Sequence, residues 1–120
     1  MVERDIRDYL QDILTHIDLA EEFVEGMSFN EFQDDSKTIL ALTRALEIVG
    51  EAAKKIPPSL RSQHPEIVWK EVTGMRDKLA HVYFGIQLST LWDTTKEDLP
   101  QLRPVVQAML DNLTASSDDY

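Results

Sequence analysis

The sequence predicts an all-α fold, a bundle of four or five helices. Three observations carry this reading. Apolar residues recur at steps of three and four along most of the 120 residues. No stretch alternates apolar and polar residues as a half-buried strand does. The helix-stopping residues Gly26, Pro57-Pro58, Gly74 and Gly85 cut the chain into helix-sized pieces.

The first helix is expected from Val2 to Glu25. Its apolar face is Ile6, Leu10, Ile13, Ile17, Ala20 and Val24, and carboxylates fill the other side. Gly26 stops it. Ser28 with Glu31 three residues later reads as a capping box. A second helix should follow to about Ile56, with Phe32, Ile39, Leu42, Leu46, Val49, Ala53 and Ile56 as its stripe, and Pro57-Pro58 ends it. After a short loop or single helical turn from Ser59 to His64, Pro65 suits a first helical position, so a short helix is expected from Pro65 to Val72. Thr73-Gly74 breaks the chain, and a further helix runs from Met75 to Phe84. Ser89 caps the last helix, whose pattern runs through Trp92, Leu99, Leu102, Val106, Met109, Leu110 and Leu113. Pro100 and Pro104 should kink or split it near Asp98. No internal repeat is visible. One helical domain, 1–114, is expected, followed by a polar, disordered tail at 115–120.

Composition narrows the function classes. The absence of cysteine excludes disulfides and thiolate metal sites. No apolar run approaches a membrane span, and Met1 to Asp5 has none of the character of a signal peptide, so a cytoplasmic protein is expected. The formal net charge is -10, which disfavours nonspecific nucleic-acid binding. Residues 54–81 depart from that average. They hold six Lys and Arg against three carboxylates, a net +3, together with His64 and His81. An anionic ligand would be met there. The commoner meaning of such a run is a solvated face.

Most candidate constellations are weak. His16 follows Asp12 by four residues, but a zinc site needs a third ligand. Glu47 and Glu51 form an i,i+4 carboxylate pair, yet the Glu-x-x-His partner of di-metal bundles is missing. No phosphate-binding glycine loop or Ser-His-Asp order occurs. Trp69 and Trp92 read as core or interface anchors. No metal and no cofactor are expected.

The stretch from Gly74 to Phe84 differs. On a helical wheel Met75, Leu79, Val82 and Ile86 form one core stripe. Asp77, Ala80, His81 and Phe84 fall roughly opposite, and Arg76 and Tyr83 share a flank. Ala80 and Phe84 would leave an apolar patch on a monomer, and a two-fold dimer would bury it. Arg76 and His81 lie about 140° apart on the wheel, so they line one cleft only when two copies meet. A neutral histidine can take a proton from a ribose 2′-hydroxyl or give one to a leaving 5′-oxygen. An arginine can fork onto phosphate oxygens and stabilise the charge of the transition state. Asp77, one turn before His81, could fix its tautomer. These are the parts of a metal-free ribonuclease. Taken alone, an arginine and a histidine on one helix are more often surface groups.

The run Arg76-x4-His81-x-Tyr83 resembles the motif of HepT toxins, members of the HEPN superfamily of helical ribonucleases. The flanks agree: Trp69 to Met75 before it, Phe84-Gly85-Ile86 after it, Arg44 to Ala52 on the second helix, and Leu91-Trp92 and Asp98-Leu99-Pro100 later. The resemblance covers about residues 2–113. It implies a homodimeric HEPN-like bundle, metal-independent cleavage of RNA that is toxic to the cell, and catalytic Arg76 and His81. It also implies a partner, a nucleotidyltransferase antitoxin of the MntA type, which adds AMP to the motif tyrosine, here Tyr83. One departure is Asp77, where these proteins often carry Asn; a carboxylate there weakens attraction for phosphate and can orient His81. The alternative is a non-catalytic helical partner of a nucleotidyltransferase, which the acidic composition suits. A histidine phosphotransfer bundle is disfavoured because Phe84, not Lys, stands three residues after His81.

Overall fold

The computed structural model describes residues 4–79 and 88–117, with the side chains of Ser116 and Ser117 left aside. Helix α1 spans Ile6–Phe23. Asp5 caps it reciprocally: its carboxylate accepts from the Arg7 amide at 2.8 Å, and its own amide donates to Asp8 at 3.1 Å. The expected period is realised, with Leu10, Ile13, Ile17 and Ala20 fully buried. Gly26, at φ +73°, turns the chain through the left-handed region that other residues avoid.

The expected second helix is two helices. The Ser28–Glu31 capping box starts α2, Phe29–Gln33, as predicted. Asp34 then ends it, and Asp35 caps a new helix, α3, Ser36–Lys54, by accepting from the Thr38 amide at 3.0 Å. A second capping side chain within the apolar pattern thus overrides its continuity. One turn, α4, Pro58–Arg61, follows the proline pair. The helix expected from Pro65 shrinks to α5, Trp69–Thr73. Residues before it are tied into turns instead: the Trp69 indole N–H donates to the His64 carbonyl at 3.0 Å, and its backbone N–H to that of Ile67 at 3.0 Å. α6 is described over Met75–Leu79.

α7, Leu88–Asp93, runs through a π-helical turn, Thr94–Asp98, into α8, Leu99–Ser117. The break expected from Pro100 and Pro104 takes the form of this turn. Within it Thr95 is buried and donates its hydroxyl to the Leu91 carbonyl at 2.9 Å. α8 continues three residues into the stretch expected as a tail; residues 118–120 lie outside the described residues.

α1, α3 and α8 form the centre of the bundle. Leu42, Leu46, Val49, Val106 and Met109 meet the α1 stripe there, each worth about 1.5–3 kcal/mol when fully buried. At one end Phe29, Phe32 and Trp92 pack their rings, and Lys96 sits 5.0 Å from the Trp92 ring centre. Asp18 on α1 and Arg103 on α8 form a two-pronged ion pair at 2.7 and 2.9 Å. α5 and α6 lie on α3 and present the segment of interest. Among the described residues there is no strand, and no helix is long and apolar enough to cross a membrane.

Candidate active site

Close backbone contact places α6. Gly50 is buried in the middle of α3, where glycine weakens a helix by about 0.5–1 kcal/mol relative to alanine. A Cβ built on it would stand 3.2 Å from the Met75 Cβ, 3.2 Å from the Val72 carbonyl oxygen and 3.7 Å from the Arg76 amide nitrogen. The missing side chain is what lets the α5–α6 corner approach. Met75 and Leu79 then enter the core, as the wheel requires.

Arg76 emerges beside this contact, with its side chain 62% exposed. Its guanidinium Nη1 lies 3.5 Å from Oε1 of Glu51, the residue after Gly50. The same Oε1 is 3.9 Å from Nη1 of Arg44, which also reaches Glu47 at 3.4 Å. On α3 one cation, Arg44, faces two carboxylates, Glu47 and Glu51, and α6 supplies a second cation, Arg76. The carboxylate pair Glu47 and Glu51 is thus directed at arginines. Spacing along the sequence did not reveal this, because the decisive partner comes from another helix. The helix-interior glycine was the available signal.

Asp77 is exposed on α6. His81, Tyr83, Ala80 and Phe84 lie outside the described residues. The other histidines are engaged elsewhere: His16 Nδ1–H donates to the Asp12 carbonyl at 2.7 Å, while the Asp12 carboxylate takes Arg4 at 2.7 Å. His64 Nδ1 lies 3.3 Å from Glu66. Among the described residues no three His, Asp or Glu side chains gather as metal ligands. A cleft of about 120 Å³ borders α6 on the side of Met75, Lys78 and Leu79, facing Thr94 and Leu102. Arg76 does not line it.

The exposed, held arginine opens the Arg-x4-His-x-Tyr run, and the sequence around it matches a known family. The profile of the family described as Ribonuclease HepT-like matches residues 13–109. The chain belongs to the HepT-like ribonuclease family. Similar proteins include one from Thermococcus cleftensis named "Probable ribonuclease HepT", 50% identical over 85% of this chain and 93% of its own length. A candidate RNase of Methanocaldococcus jannaschii is 40% identical over 94% of this chain and 97% of its own. Another, from Caldanaerobacter subterraneus subsp. tengcongensis, is 41% identical over 87% and 93%. No solved structure matches. In this HepT-like chain the described residues form an all-α bundle, and Arg76 stands at its surface.

Proposed function

We propose that this chain is a metal-independent endoribonuclease, the toxin of a toxin–antitoxin pair acting in the cytoplasm. The observation that carries the reading is Arg76: a largely exposed guanidinium, fixed on α6 in a chain of the HepT-like family. Arg76 binds the scissile phosphate and stabilises the negative charge of the pentavalent transition state. His81 removes the proton of the 2′-hydroxyl or protonates the departing 5′-oxygen. Asp77 supports His81. Two copies meet across Ala80 and Phe84, so that the cleft between them holds both pairs. The two side chains supply charge and proton transfer themselves, and no metal is assigned a step.

Control falls to Tyr83. A nucleotidyltransferase of the MntA type transfers AMP from ATP to its hydroxyl with release of pyrophosphate, and the bulky anion then occupies the flank shared with Arg76.

The test is cleavage of a defined single-stranded RNA by the purified protein, with and without EDTA. Arg76→Ala and His81→Ala should each lose about 10²–10⁴ in rate while the helical spectrum is kept. Cleavage that EDTA stops and Mg²⁺ restores would overturn the mechanism.

A further inference from the structure

We propose that Glu51 is a positioning residue for Arg76: it holds one edge of the guanidinium and leaves the remaining N–H donors directed at a phosphate of the RNA. The inference rests on the ribonuclease reading and assigns that site a component on a second helix.

The geometry argues for it in three steps. Both ends of the pair stand on elements fixed to each other. Glu51 follows Gly50, and Gly50 is in close contact with the backbone that leads into Arg76. The carboxylate lies between two guanidinium groups, because Arg44 lies 3.9 Å from the same Oε1 that Arg76 approaches at 3.5 Å. Arg76 is more than half exposed, and a long side chain in that setting would otherwise sample many rotamers. Guanidinium carries five N–H donors in a planar fork. An ion pair through Nη1 restrains the plane and leaves donors for a phosphate.

Stability is a poor explanation for the pair. An exposed ion pair contributes little to folding. It also has an electrostatic drawback, since a carboxylate beside a phosphate site repels RNA. Removing Glu51 should therefore act on binding and on turnover in opposite directions. The loss of charge tightens RNA binding, whereas the loss of orientation slows the step that Arg76 assists. A purely structural residue would not divide the two in this way.

The experiment compares Glu51→Ala and Glu51→Gln on the RNA substrate, beside the wild type and Arg76→Ala. Glutamine removes the charge and keeps an acceptor oxygen of the same reach. Both variants should lower KM by a few-fold. Glu51→Ala should lower kcat about two- to fivefold, and Glu51→Gln should recover part of that loss. Helicity and Tm identify any variant that fails to fold, in which case the isosteric Glu51→Gln against wild type decides. Unchanged kcat in the folded variants, or equal loss in both, overturns the positioning role, the second result because charge alone would then suffice. A wild type that leaves RNA intact, or an Arg76→Ala that still cleaves, instead overturns the ribonuclease reading and the inference with it.

Discussion

Gly50 and Met75 approach so closely that a Cβ on Gly50 would stand 3.2 Å from that of Met75. The second near neighbour, the Val72 carbonyl, is backbone. Neither can rotate away, so a methyl group must push the α5–α6 corner off α3. Alanine would meanwhile favour the helix by about 0.5–1 kcal/mol. The two effects oppose each other in stability but not in function. Gly50→Ala should melt within a few degrees of wild type and cleave RNA several-fold more slowly. Full activity with an unchanged melt would show that the close approach does not matter to the site.

Tyr83→Phe should fold and stay toxic, because its hydroxyl has no part in the proposed chemistry. It should also escape the antitoxin. Co-expression with the cognate nucleotidyltransferase, read as growth and as intact mass, checks this. Neutralisation equal to that of wild type, without added AMP, would remove Tyr83 as the acceptor.

Phe84→Glu should turn the proposed dimer into a monomer on light scattering. A charge in a buried two-fold contact meets its own copy, which compounds desolvation with like-charge repulsion. A variant as dimeric as wild type would place the interface elsewhere.

Arg103 holds the Asp18 carboxyl below its usual range. The folded-state pKa therefore lies below the unfolded value of about 3.9. The resulting stability is present above about pH 3.9 and is lost as pH falls through the depressed folded value. Both groups are well exposed, so solvent screening limits the effect to about 0.5–1 kcal/mol at pH 7. Arg103→Ala should lower Tm by a few degrees at pH 7, and the difference should vanish in strong acid. Equal differences at pH 7 and at pH 2 would assign the loss to packing of the arginine stem.

Local chemistry was legible in the sequence, and contacts between helices were not. The period of α1 and the Ser28–Glu31 box are written in adjacent residues, and both stand where expected. Asp35 was hidden because the apolar steps run past it; a cap competes with periodicity, and here the cap prevailed. The wheel put Met75 and Leu79 in the core and Arg76 at the margin, as observed. By spacing alone Glu51 pairs with Glu47 as a second carboxylate. Its partner Arg76 lies 25 positions along the chain, and no spacing rule joins them.

The π-helical turn at Thr94–Asp98 settles a problem of angular phase. Leu91 and Leu99 are both fully buried, yet eight residues of regular α-helix would leave them about 80° out of alignment. A turn closed from i to i+5 is wider and takes back that lag. The apolar seams of α7 and α8 thereby meet as one line. The turn acts as one residue inserted between two regular helices. Deleting one residue from 94–98 would let the chain close as regular α-helix, because seven residues advance about 700°, within about 20° of two full turns. Leu102 and Val106 would stay in the core, and Arg103 would stay beside Asp18.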